Sequence, residues 1–136
     1  RMSRGLGDVY KRQHNIQPVG YMPIGSPRRP ERDICPEDVA DLEVPEMQAI
    51  AKAHGVHPAL IALKWAHQRG EISIPFSVHN YASNLKCVTE DPLTEKEMAT
   101  IATLEKGNRL VKGQVFLWHG ANDWHDLWDE DGVIVK

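Results

Sequence analysis

The alternation of two short apolar runs with pairs of helical segments, the first pair opened by Pro and closed by Gly, constrains this chain more than any other feature. The first run, Ile16-Gln17-Pro18-Val19-Gly20-Tyr21-Met22, ends in the turn-rich Pro23-Ile24-Gly25-Ser26-Pro27 and reads as a strand entering a loop. Residues 28–44 have mixed charge and little periodicity, which predicts a long surface loop, and long loops of this kind often carry function. Pro45 then opens a helix as its first-turn residue, Met47, Ile50 and Ala51 share a face, and Gly55 stops it. Pro58 opens a second helix, closed by Gly70, whose Leu60, Ile61, Leu63, Trp65 and Ala66 lie almost all the way round, so burial on several sides is expected. Ile72-Ser73-Ile74-Pro75-Phe76-Ser77-Val78 reads as the second strand. Asn80 is placed to cap a short helix through Leu85 and Val88. Thr94-Glu95-Lys96-Glu97 forms a capping box for a last helix with Met98, Ile101 and Leu104 inward and Gly107 at its end. Strands alternating with helices imply a parallel α/β architecture, open or closed.

Composition narrows the function classes. Of the 136 residues 41% are hydrophobic and 26% charged, which suits a soluble globular unit, and no stretch approaches the ~20 apolar residues needed to cross a bilayer. Cys35 and Cys87 stand far apart without zinc-ligand spacing, so a reducing, cytoplasmic setting and no metal site are expected. The first thirteen residues hold Arg1, Arg4, Lys11 and Arg12 against Asp8. Taking these from 16 basic and 19 acidic residues leaves 12 and 18, a net of −6 for the remainder, which disfavours nucleic-acid backbones as partners.

Residues 1–13 lack apolar periodicity and contain Gly5 and Gly7, so they read as a non-native or disordered leader. They resemble a translated sequencing-adapter segment; an organellar presequence is the rival reading. Residues 14–107 form the expected folded unit and 108–136 a tail.

Gly20-Tyr21-Met22-Pro23-Ile24-Gly25-Ser26-Pro27 and Ile74-Pro75-Phe76-Ser77-Val78, with Lys64-Trp65-Ala66-His67-Gln68-Arg69-Gly70 between them, resemble the aldo-keto reductases in motif and in order. The resemblance implies the C-terminal part of a (β/α)8 TIM barrel: strands 7 and 8 with their helices, an extra C-terminal helix and a specificity tail. It implies NADP or NAD as cofactor and a small carbonyl or alcohol as substrate. On it, Tyr21 stacks against the nicotinamide, Ser26 binds the pyrophosphate with neighbouring backbone amides, Ser77 and Val78 contact the adenosine phosphate, and Pro23, Ile24 and Phe76 complete the cofactor-binding set. Asn84 matches the adenine-contacting asparagine only with a spacing about two residues short. Alternatives stay open: Tyr21 as a core aromatic, Ser26 as a turn serine, Asn84 as a solvated helix residue.

Phe76 stands where the family commonly has lysine, and the arginine expected on the next helix has no counterpart among residues 80–83, so preference for NADPH over NADH is in doubt. The tail is rich in tryptophan; Trp118 and Trp124 either line the substrate pocket or, with Trp128, dock the tail on the barrel exterior. His119, Asp123, His125 and Asp126 fit no established metal spacing. The family's catalytic tyrosine, lysine, aspartate and histidine belong to its N-terminal half and have no matches here, so the chain alone is expected to be inactive and prone to aggregate. Two further readings remain. One is a helix-turn-helix DNA-binding module over residues 50–69, opposed by the apolar second helix; the other is a non-catalytic subunit built on the same barrel.

Overall fold

In the computed structural model residues 13–25, 29–36, 38–104 and 110–127 are described. Residues 1–12, within the segment expected to be a leader, and Ser26, Gly107 and Trp128 lie outside them.

The two apolar runs form two short strands, β1 (Val19–Tyr21) and β2 (Ile72–Ile74), paired in parallel. Val19 stands opposite Ile72, Gly20 opposite Ser73 and Tyr21 opposite Ile74. Both strands are shorter than the runs that announce them. Pro75 has no N–H to give a ladder and ends β2, so the strand expected through Val78 stops at Ile74. Residues 16–18 lie outside β1, although the Pro18 carbonyl accepts the Ile72 N–H at 3.0 Å and the Gln17 side-chain amide donates to the Gly70 carbonyl at 2.6 Å.

Four helices accompany them: α1 (Pro45–Ala53), α2 (Pro58–Gln68), α3 (Tyr81–Thr89) and α4 (Glu95–Ala102). Pro45 and Pro58 occupy first-turn positions, where a missing N–H costs nothing. Gly55 and Gly70 both take left-handed backbone, with φ of 64° and 81°, immediately after the helix ends. Each closes a paired set of terminal bonds: Val56 N–H to Ala51 and Gly55 N–H to Lys52, then Glu71 N–H to Ala66 and Gly70 N–H to His67. The Thr94–Glu97 capping box forms reciprocally. At α2 the cap is His57, whose Nδ1 accepts the Ala59 N–H at 3.2 Å.

Asn80 sits at the start of α3, as expected, but its side chain makes no capping bond. The Ser77 hydroxyl lies one turn earlier and accepts the Asn80 N–H at 2.7 Å instead. The described part of the expected loop is more regular than its sequence suggests: two 3-10 turns, Glu31–Asp33 and Asp41–Glu43, lie in it, and Asp33 is buried.

The core lies among the helices. Met47, Ile50, Ala51, Ile61 and Leu93 are buried together, with Val44, Val56, Ala62, Trp65, Met98, Ile101 and Leu104 packed on them. Ile61 is wholly buried, which contributes about 1.5–3 kcal/mol. Helix α2 packs against α1, α3 and β2. Its Lys64 is buried too, because Nζ donates to the Glu90 carbonyl at 2.8 Å and to the Asp91 carbonyl. The Gln68 side chain binds both the N–H and the carbonyl of Leu93, at 2.7 and 3.0 Å.

Strand side chains alternate between faces. Gly20 and Ser73 are half-buried, whereas Val19, Tyr21, Ile72 and Ile74 share the other face and are all exposed. The described residues therefore form a mixed α/β unit with two parallel strands and four helices, α2 packed against β2 and an apolar strand face left open. Among the described residues no helix is long and apolar enough to cross a membrane.

Candidate functional site

Parallel pairing brings the loops that follow β1 and β2 to the same end of the strand pair, since Tyr21 and Ile74 close the two strands opposite one another. After β1 the chain turns sharply over residues 22–25, with the Gly25 N–H donating to the Met22 carbonyl at 3.1 Å. Gly25 has φ of 73°, and a Cβ there would lie 2.9 Å from both Asp41 Oδ2 and Leu110 Cδ1, so conformation and crowding both favour glycine. Tyr21 is exposed on the open face; Pro23 and Ile24 are half-buried in the turn. Nothing is described for Ser26.

After β2, Pro75 releases the chain outward and Phe76 is almost fully exposed, at 97%. Val78 is exposed and Ser77 half-buried. The Ser77 hydroxyl accepts from Asn80, and a hydroxyl that accepts one bond keeps its proton to donate. These residues lead into the N-terminus of α3, where unpaired N–H groups and the helix dipole favour negative charge. Asn84 lies one turn into that helix and is half-buried. Tyr21, Pro23, Ile24, Phe76, Ser77 and Val78 thus share one end of the strand pair, and Asn84 stands behind them on α3.

The loop after β1 is fixed by contacts the sequence did not suggest. Asp38 Oδ2 accepts from Arg29 Nη2 at 2.6 Å, from the Cys35 N–H at 2.9 Å and from Lys112 Nζ at 3.5 Å. The Asp33 carbonyl takes both Arg29 Nε and Lys112 Nζ at 3.2 Å. Side chains of Arg29, Asp38 and Lys112 are almost entirely buried. Gln114 reaches the Arg32 carbonyl at 2.8 Å. No motif marks Arg29, Asp38 or Lys112; the only sequence signal is opposite charge on two segments about seventy-five residues apart.

The tail residues divide. Trp118 is exposed, whereas Trp124 is half-buried, stacked on His125 with centroids 3.7 Å apart and with Lys112 Nζ 5.8 Å from its ring. The polar tail residues bind each other. Asp123 Oδ1 accepts the His125 N–H and meets its ring Nδ1, both at 2.8 Å, and Asp126 holds the Asn122 N–H at 2.7 Å. The backbone bond from His125, then the ring, hold the Asp123 carboxyl below its usual range. Among the described residues no group of three His, Cys, Asp or Glu is arranged to hold a metal.

A second titratable cluster lies away from the strand ends. His54, at the end of α1, meets Asp91 Oδ2 through Nδ1 at 2.5 Å and Glu97 Oε1 through Nε2 at 3.0 Å. Both ring nitrogens can donate only when the imidazole is protonated. The Asp91 bond, with help from Glu97, raises the His54 pKa against the cost of burial, and His54 in turn lowers that of Asp91. Lys64 Nζ also stands 3.6 Å from Asp91.

Comparison with known proteins covers most of the chain. Residues 1–106 match the model of the Aldo/keto reductase family. Aldo/keto reductase slr0942 of Synechocystis sp. is 34% identical over 125 residues, 90% of this chain and 38% of that protein. Aldo-keto reductase family 1 member A1 of Xenopus tropicalis is 39% identical over 105 residues, 76% of this chain and 31% of its own. The apo crystal structure of Gox0644 superposes with a TM-score of 0.60 at 26% identity, over 74% of this chain and 33% of that one. The chain therefore spans between three tenths and two fifths of the length of these relatives. With the motifs, the strand order and these matches in agreement, the chain belongs to the aldo/keto reductase family.

Proposed function

We propose that this chain is the dinucleotide-holding C-terminal portion of a (β/α)8 barrel that reduces small carbonyl compounds with NADPH or NADH. The observation that carries this reading is the parallel pairing of Tyr21 with Ile74, which brings the two loops to the strand ends where barrel enzymes bind ligands. The open face formed by Val19, Tyr21, Ile72 and Ile74 is the surface that would turn toward the interior of a closed barrel.

In this reading the nicotinamide cofactor supplies hydride. The chain's residues bind and orient it. The Tyr21 ring, exposed beside the turn, presents a flat apolar surface for the nicotinamide to stack on. The turn of Pro23 and Ile24, with Ser26, beds the pyrophosphate. Ser77 donates its hydroxyl proton to the adenosine phosphate beside the N-terminus of α3, with Phe76 and Val78 flanking it. Asn84 reaches toward the adenine from α3. Trp118 and Trp124 belong to the substrate side.

Phe76 offers no cation to a 2′-phosphate, so NADH is accepted alongside NADPH. Residues for general-acid catalysis are not assigned to this chain, which by itself is catalytically silent.

The test is titration of the purified chain with NADH and NADPH, followed by tryptophan fluorescence, beside Tyr21→Ala and Ser77→Ala. Binding of both cofactors, weakened by each substitution, is expected. NADPH bound about a hundredfold more tightly than NADH, a difference of about 2.7 kcal/mol, would overturn the specificity. Carbonyl reduction by the chain alone would overturn its silence.

A further inference from the structure

The loop that follows β1 is held from the far end of the chain. Leu110, 3% exposed, stands against Gly25 at the turn, and Lys112, 2% exposed, reaches Asp33 and Asp38 beyond it. Gln114 adds a bond to Arg32. Three side chains at alternate positions of one segment thus meet the loop at three places: Gly25, Asp33 with Asp38, and Arg32. Arg29 to Asp38, Arg29 to Asp33 and Cys35 to Asp38 are local ties of nine residues or fewer, which shape the loop internally.

We propose that residues 110–114 are the seat of the cofactor loop and that Lys112 is a positioning residue for the dinucleotide, which it does not touch. The proposal rests on the dinucleotide reading above. Lysine suits the role because one ammonium donates several bonds at once and bridges a carboxylate and a backbone carbonyl; its burial keeps water from competing. Without it, Asp38 keeps Arg29 and the loop keeps its internal shape, but the loop loses its charged tie to the tail. Affinity then falls with the fraction of time the loop is seated: a loop seated one tenth of the time binds about tenfold more weakly.

The experiment compares the full chain with Lys112→Met, which keeps the aliphatic stem, and Gln114→Ala, which removes only the bond to Arg32. Two quantities are read: NADH and NADPH dissociation constants by fluorescence titration, and amide hydrogen exchange at Cys35 and Asp38 against Ile50 and Ile61 in the core. The expected result is about tenfold weaker binding for Lys112→Met, a smaller loss for Gln114→Ala, and faster exchange at Cys35 and Asp38 with core amides unchanged. Wild-type binding with both variants binding equally well, or unchanged exchange at Cys35, overturns the positioning role and leaves the dinucleotide reading standing. Failure of the wild-type chain to bind either dinucleotide overturns both. Should Lys112→Met not fold, Gln114→Ala decides alone, and binding equal to wild type counts against the proposal.

Discussion

Replacing Gly25 with alanine probes the point where the turn after β1, the Asp41–Glu43 3-10 turn and the tail converge. Two costs add. The backbone at Gly25 has φ of 73°, and an L-residue held in left-handed backbone costs about 1–2 kcal/mol. The new Cβ would also lie 2.9 Å from Asp41 Oδ2 and Leu110 Cδ1. Both are side-chain ends that yield a little, but Leu110 is 3% exposed and has little room, so the crowding sits at the low end of overpacking, about 1 kcal/mol. The sum is a loss of about 2–3 kcal/mol, read from urea unfolding followed by circular dichroism. Leu110→Val separates the two terms. Alone it removes one methylene and costs about 1 kcal/mol; combined with Gly25→Ala it relieves the crowding, so the double variant should lose less than the two single losses together by about 0.5 kcal/mol or more. A loss under about 0.5 kcal/mol for Gly25→Ala would refute the left-handed turn, and strict additivity would refute the contact with Leu110.

Three further outcomes follow from particular residues. His54 has its pKa raised above 6.5, so the stabilisation it gives with Asp91 and Glu97 is fully present below that value and is lost as pH rises through the raised one; His54→Asn should flatten this alkaline arm of a pH series of urea midpoints. On the acid side, Asp91 and Glu97 have lowered pKa values, and their share is lost as pH falls through them. Thr94→Ala removes the reciprocal cap of α4 and should cost about 1 kcal/mol by the same unfolding measurement. Phe76→Lys adds a cation at a side chain that makes no use of burial; in titrations it should tighten NADPH binding about tenfold, the equivalent of one charged hydrogen bond, while leaving NADH unchanged.

Helix limits were legible because their signals are local. Pro45, Pro58, Gly55, Gly70 and Thr94 act on backbone within a turn of themselves, and each does in the fold what its residue type dictates. The strands were legible as order but not as length, because a run of apolar residues does not reveal where ladder partners stop; Pro75 marks that point for β2 only once its neighbour is known. The same limit separates Asn80 from Ser77. Either side chain suits a cap, and only the backbone at Asn80, with φ of −102° and ψ of 8°, decides that the serine three residues earlier does the accepting.

The candidate site shows the same division more sharply. Tyr21, Ser77 and Val78 sit where local elements end, and strand order alone brings those ends together, so a motif can point to them. Lys112 cannot be found that way: lysine is ordinarily solvated, and here it is buried where a carbonyl and a carboxylate from more than seventy residues upstream converge on it. Lys64 obeys the same rule on α2, where the Glu90 and Asp91 carbonyls receive it. Motifs therefore pick out the residues that would face a ligand, whereas the residues that hold them in place emerge from contacts between distant segments. Because those contacts join the loop after β1 to the tail, on the proposed dinucleotide reading substitutions at Lys112 or Gln114 should alter cofactor affinity.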